Sequence, residues 1–256
     1  MITALELLGG VHGIPPEKFP DLRRQVELAF ALSKGRILEE PVALICREVL
    51  HVQFSLTAPA EEVIRQHLDI IRRATTLQQI LQSRVPFGRG MAGLKTTSAI
   101  DRVVGGLKKE WVEAIEQIAT DYYPSWRELF EREGRRLPRN MRKSLKVPST
   151  VAARKRRLAE YFLSWLGAAA GPSDIDFAIK KLDASLEFAN FVLREFLIGN
   201  YNPANRDSDV YDHFQLRYLA MDRFVIVTED SDLTKRTGQS SQADRILTFE
   251  QFLRTL

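Results

Sequence analysis

Short strand-like segments occur only near the two ends of this chain, which limits the folds open to it. One follows a predicted helix near the N-terminus, at residues 36–38. Two others lie near the C-terminus, at residues 224–228 and 245–248, and a helical pattern follows each of them. Alternation of helices and strands is typical of α/β folds. We therefore expect the two ends of the chain to contribute to a mainly parallel sheet.

The middle of the chain, residues 57–200, has a different pattern. Its apolar residues recur three and four positions apart, and it has almost no β-branched runs, which predicts helices throughout. Neither end alone has enough strands for a sheet of its own. The economical solution is one discontinuous α/β domain, formed by residues 1–56 and 201–256, with residues 57–200 as a helical insertion.

Composition places the chain among ordinary globular proteins. It has 256 residues, of which 45% are hydrophobic, and a single cysteine, Cys46. One cysteine excludes an internal disulfide and a cysteine-based zinc site, and its apolar neighbours predict a core position. No apolar run reaches the roughly 20 residues of a membrane span, and the N-terminus lacks the pattern of a secretion signal. We expect a cytoplasmic protein.

Positive charge is concentrated in one segment, between Arg132 and Arg157. This segment contains eleven Lys and Arg residues against one acid, Glu133. Such a density attracts phosphate groups and releases counterions on binding, although a solvated helix face with a basic loop would have the same composition. The predicted substrate-binding cations are the four consecutive residues at its end: Arg154, Lys155, Arg156 and Arg157.

Acidic residues lie on both sides of the strand at 224–228. Asp209 and Asp212 occupy the start of the preceding helix, whereas Asp230 and Asp232 follow the strand. In open α/β sheets, the C-terminal end of a strand meets the start of a helix, and ligand sites form there. The pattern predicts a hydrated metal site, and the alternative for the second pair is a turn built by Asp and Ser side chains.

The segment from Asp212 to Asp232 resembles the end of a PIN-like nuclease domain, a family of metal-dependent enzymes that cut nucleic acids. In that family an acidic residue opens a helix, a short apolar strand follows, and a Thr with a second acidic pair comes after the strand. Here Asp212 precedes Thr228 by sixteen residues, which is the family spacing. The resemblance continues through residues 246–253, as the closing strand and helix. It implies a three-layer α/β/α core.

A weaker resemblance lies near the N-terminus. PIN-like domains place an acidic residue in a helix whose context is similar to the segment from Pro41 to Leu50, and Glu48 occupies that position. An exposed helical glutamate is the alternative. The family also begins with a strand that ends in Asp-x-Asn or Asp-x-Ser, and nothing before Glu48 has that pattern. Either that strand precedes Met1 or the ligand is absent.

The resemblance implies phosphodiester hydrolysis by two metal ions. Carboxylates hold Mg²⁺ or Mn²⁺, which form the nucleophile from water and neutralise the charged phosphate. The expected ligands, which are also the expected catalytic residues, are Asp212, Asp230, Asp232 and Glu48. Asp209 could join them or cap its helix. Thr228 is expected to position a phosphate or a water molecule.

Three functional hypotheses follow. The first is a metal-dependent endoribonuclease, toxin-like or defence-related, whose partners are RNA and an antitoxin or companion subunit. The second is a catalytically degenerate PIN-like protein that binds nucleic acid or a protein partner. The third makes the helical middle a scaffold for protein interactions.

Overall fold

The computed structural model describes residues 14–34, 39–53, 61–84, 96–122, 125, 128, 132, 138–168 and 170–255. The chain divides into two compact units. The first comprises residues 1–43 and 55–108, and the second comprises residues 44–54 and 109–256. The predicted strand at 36–38 lies outside the described residues. The predicted division into residues 1–56 with 201–256 and residues 57–200 stays a prediction.

The described helices of the first unit lie in segments for which the sequence predicts helices. Their bounds are α1 (Phe19–Ser33), the start of α2 (Pro41–Ile45), α3 (Glu61–Arg73), α4 (Leu77–Gln82) and the start of α5 (Thr96–Tyr122). Helix α1 packs on α3, and Val26 and Ile71 are buried there. The Arg72 guanidinium lies 4.6 Å from the centre of the Phe30 ring, which adds a cation–π contact.

The second unit contains the remaining elements. Helix α2 continues as a π-helical turn (Cys46–Leu50), in which Cys46 is buried as expected. The others are α6 (Arg139–Ser144), α7 (Pro148–Trp165), α8 (Pro172–Lys181), α9 (Asp183–Leu197), α10 (Asp207–Leu216), β1 (Ile226–Val227), α11 (Ser231–Thr237), β2 (Ile246–Leu247) and α12 (Phe249–Leu253).

Helix α9 forms the centre of this unit. It contacts α7, α8, α10 and α11, and Phe188, Val192 and Leu193 on it are completely buried. A helix that is apolar around most of its circumference can be covered only by neighbours on several sides. The second unit is therefore organised around a helix.

The predicted three-layer α/β/α fold is wrong. The described residues are mainly helical, and their strands form one two-stranded parallel sheet. Both C-terminal strands form, but each pairs over only two residues, Ile226 with Ile246 and Val227 with Leu247. The apolar side chains of the described chain are buried mostly by helix–helix contacts, so this sheet is too small to serve as a central layer.

Arg245 holds the two strands in place. Its guanidinium donates to the carbonyl oxygens of Leu219 at 2.8 Å and Phe224 at 2.6 Å, and also to that of Met221. These carbonyls belong to the segment before β1, and Arg245 directly precedes β2. One side chain therefore joins the segment before β1 to the start of β2.

Among the described residues, no helix is both long and apolar enough to cross a membrane.

Candidate functional site

Asp230 and Asp232 lie at the exit of β1, as predicted, and the structure assigns Asp230 a local role. Its Oδ1 accepts the backbone N–H groups of Asp232 at 2.7 Å and Leu233 at 3.2 Å, and so caps α11. The Thr228 hydroxyl accepts the Asp230 N–H at 3.0 Å. Asp232 is exposed and lies 3.5 Å from the Lys235 ammonium. Thr228, Asp230 and Asp232 therefore come together in one capped turn.

Glu48 lies on the other side of β1. Its carboxylate accepts from Arg223 at 2.7 Å and from Arg47 at 3.2 Å. The hydrogen bond from Arg223 lowers the pKa of Glu48 below its usual range. Arg223 precedes β1 whereas Asp230 follows it, so Glu48 is paired at the entry of the strand and the capped turn lies at its exit.

Asp209 is almost completely buried and joins two helices. It accepts the Tyr201 hydroxyl at 2.5 Å and the Arg236 guanidinium at 2.9 Å. Burial, and then the hydrogen bond to Asp209, raise the pKa of Tyr201 far above its usual range. Asp209 thus connects α10 to Arg236 on α11. Asp212, one turn further along α10, is half-buried.

The predicted metal ligands are not assembled into one cluster. The described residues include no group of three or more His, Cys, Asp or Glu side chains that could hold a metal ion. Glu48 is bound to Arg223 and Asp209 to Arg236, while Asp230 and Asp232 share the α11 turn.

Two of the four predicted substrate-binding cations are held inside the fold. Arg154 is completely buried; its guanidinium donates to Asn190 Oδ1 at 2.8 Å and to the Leu145 carbonyl at 2.7 Å. The Lys155 ammonium bonds to Asp183 and lies 3.2 Å from Glu187. Burial alone would raise the pKa of Asp183, but Lys155 and the Ser241 groups bonded to it lower that pKa below its usual range.

The other two predicted cations form ion pairs near the surface. Arg156 lies 3.4 Å from Glu160 and 2.8 Å from Asp176, and Arg157 lies 2.8 Å from Glu160. Neighbouring carboxylates therefore pair with Lys155, Arg156 and Arg157, whereas Arg154 is held by neutral acceptors. A phosphate would have to displace these carboxylates to reach them.

The exposed positive charge lies earlier in the same basic segment. Four cations, which we call the basic stripe, are exposed on α6 and the turn after it: Arg139, Arg142, Lys143 and Lys146. Their spacing of three, four and seven residues places them on one helical face. No acid occurs in the sequence between Glu133 and Glu160. All four are exposed, and none of them forms an ion pair with another described residue.

Sequence spacing could have separated the two groups of cations. Glu160 lies four residues after Arg156 and three after Arg157, which is the separation at which helical side chains pair. The cations of the basic stripe have no acid at such a distance. The carboxylates that hold Lys155 are 28 and 32 residues away in sequence, so only the folded chain reveals that pairing.

Comparisons of this chain with protein-family models, with curated proteins and with solved structures found no match.

Proposed function

We propose that this protein binds the phosphate backbone of a nucleic acid through the basic stripe. The proposed nucleic acid is cytoplasmic RNA. The observation that carries this proposal is the set of four exposed cations on α6 and the turn after it, none of which pairs with another described residue. Cations of this kind attract phosphates and release counterions when they bind. The six residues of α6 extend about 9 Å, which is close to the rise of three nucleotides in a stacked strand.

The position of α6 supports the proposal further. The buried Arg154 binds the carbonyl of Leu145, directly after α6, and connects it to Asn190 on the central helix α9. A cation on a fixed element loses less conformational freedom on binding than one on a flexible loop. The basic stripe is therefore supported by the core of the second unit.

Charge reversal tests this function. We expect the variant Arg142→Glu/Lys143→Glu to bind a fluorescein-labelled RNA oligomer at least tenfold more weakly than the unmodified protein, measured by fluorescence anisotropy. The control, Arg24→Glu/Lys180→Glu, makes the same change of net charge at exposed positions on α1 and α8. Equal losses of affinity in the two variants would show that net charge alone drives binding and would contradict the proposal.

A metal-dependent ribonuclease is the second candidate function. The observation in its favour is the exposure of Asp230 and Asp232 at the exit of β1, with Asp212 on the preceding helix. The exposed pair Asp230 and Asp232 could hold a Mg²⁺ or Mn²⁺ ion whose other ligands are water molecules and RNA phosphates.

The variant Asp230→Asn tests this second function, because Asn caps a helix about as well as Asp but carries no charge. Cleavage of a labelled RNA should require Mg²⁺ or Mn²⁺ and should disappear in Asp230→Asn and in Asp212→Asn, while both variants remain folded by circular dichroism. Cleavage that persists in either variant, or in EDTA, would exclude it.

A further inference from the structure

An open groove of about 500 Å³ lies between the last turn of α5 and the first turns of α7. Its lining residues are Asp121, Tyr122, Ser149, Thr150, Ala153 and Arg157. Ser149 lies three positions after Lys146 of the basic stripe, so at most about 11 Å lies between their Cα atoms. A nucleic-acid strand bound to the basic stripe therefore passes within reach of the groove.

One wall of the groove is formed by the Tyr122 ring and the Arg157 guanidinium. The Arg157 guanidinium lies over the Tyr122 ring, 4.9 Å from its centre, and the Glu160 carboxylate holds it at 2.8 Å. Planar guanidinium and aromatic groups are the surfaces on which unstacked nucleobases pack. The Glu160 carboxylate already neutralises Arg157, which makes this wall better suited to a flat neutral ring than to a phosphate.

The last turn of α5 also brings a carboxylate to the groove, beside Tyr122. Asp121 is exposed, and both of its oxygens accept from the Gln117 amide, at 2.8 and 2.9 Å. An ionised carboxylate accepts about four hydrogen bonds, so it can still receive donors from a ligand. Its charge repels phosphate and attracts N–H groups. Among the common bases, guanine alone presents two adjacent N–H donors on its Watson–Crick edge, which match a carboxylate.

We propose that the α5–α7 groove binds one unstacked guanine of a single-stranded nucleic acid, with the base against Tyr122 and Arg157 and its N–H edge on Asp121. The Ser149 and Thr150 hydroxyls supply further partners for the nucleotide. A volume of about 500 Å³ lies within the roughly 300–1,000 Å³ of small-ligand sites. This proposal rests on the proposed function, because the basic stripe supplies the backbone contacts.

The test uses three fluorescein-labelled RNAs and the full chain. The first is a uridine 12-mer with one central guanosine, the second has adenosine at that position, and the third is a hairpin in which the same guanosine is paired. We expect the guanosine 12-mer to bind about tenfold more tightly than the adenosine 12-mer, and Asp121→Asn to bring the two affinities within twofold. The control Glu116→Gln makes the same charge change at an exposed position of α5 and keeps the preference.

Substitution of the ring tests the stacking wall. Tyr122→Ala should weaken binding of both single-stranded oligomers about tenfold and leave the hairpin unchanged, whereas Tyr122→Phe should keep the affinity. Equal affinity for guanosine and adenosine, or equal loss for single strand and hairpin in Tyr122→Ala, overturns the groove proposal. If salt-sensitive binding then persists, the proposed function stands without it. If the unmodified protein binds none of the three RNAs, both fail.

Discussion

Arg154 is a cation in the interior of the second unit, and its partners explain why it is tolerated there. A buried charge is costly unless hydrogen bonds satisfy it. The Asn190 side chain and the Leu145 carbonyl accept from its guanidinium within 2.8 Å. The residue therefore joins three segments: α7, the end of α6 and α9.

We expect Arg154→Met to lower the free energy of unfolding by about 3 kcal/mol, because Asn190 and the Leu145 carbonyl lose a charged donor in a buried place. The control Arg142→Met, at an exposed position of α6, should change it by no more than about 0.5 kcal/mol. Urea unfolding followed by circular dichroism measures both values. Similar effects in the two variants would refute the anchoring role of Arg154.

His213 is a second buried residue, and its surroundings determine its charge. Its ring centre lies 4.6 Å from that of Trp111, and Arg217 donates to its Nε2 at 3.0 Å. Because a guanidinium can only donate, Nε2 is an acceptor and the ring is neutral. Burial, and then the charge of Arg217, lower the pKa of His213 well below 6.5.

This lowered pKa predicts a pH dependence of stability. Above about pH 6.5 the imidazole is neutral in both states. Below it the unfolded chain gains a proton that the folded chain does not, so stability falls by up to about 1.4 kcal/mol per pH unit. The difference in unfolding free energy between the unmodified protein and His213→Gln should shrink by about that amount from about pH 6 to about pH 5. A constant difference would contradict the neutral, buried ring.

At the scale of elements, Asp230 caps α11. Two substitutions distinguish this structural role from a role of its charge. Asp230→Ala removes the acceptor of two backbone N–H groups and should lower stability by about 1 kcal/mol, whereas Asp230→Asn should leave it nearly unchanged. Urea unfolding of the two variants measures the difference. An equal loss in both would mean that the charge of Asp230 stabilises the fold beyond its cap.

Helix and strand positions near the C-terminus follow from the sequence because local signals determine them. Helical spacing predicts α11 and α12, and the capping side chains of Asp230 and Thr248 lie at their N-termini. Within residues 57–200, where the sequence predicts helices throughout, the chain leaves the helical conformation at Leu182, between α8 and α9. No glycine or proline near Leu182 indicates this break in the sequence. The break therefore depends on packing.

The extent of the sheet was not predictable in the same way. Apolar segments 224–228 and 245–248 do pair in parallel, but hydrogen bonding is limited to Ile226 and Val227 with their partners. The Arg245 side chain joins the two segments by donating to the carbonyls of Leu219 and Phe224. These contacts join residues more than twenty positions apart, which composition and periodicity do not reveal.

At the scale of the whole molecule, the basic segment divides into interior and surface charge. Its end, residues 154–157, pairs with Asn190, Asp183, Glu187 and Glu160 and stabilises the fold. The basic stripe, in the middle of the segment, has no ion pair with any described residue. The concentration of charge was evident from the sequence, but the carboxylates that pair with Lys155 are distant in sequence and were not. The choice of Arg154, Lys155, Arg156 and Arg157 as substrate-binding residues stays a prediction.

The salt dependence of RNA binding tests the central claim most directly. If the four cations of the basic stripe contact phosphates, a plot of log affinity against log NaCl concentration should have a slope of about −3 for single-stranded RNA. In Arg142→Glu/Lys143→Glu the slope should become shallower by about 1.5, and in Arg24→Glu/Lys180→Glu it should stay at about −3. An equal slope in all three proteins would contradict the account.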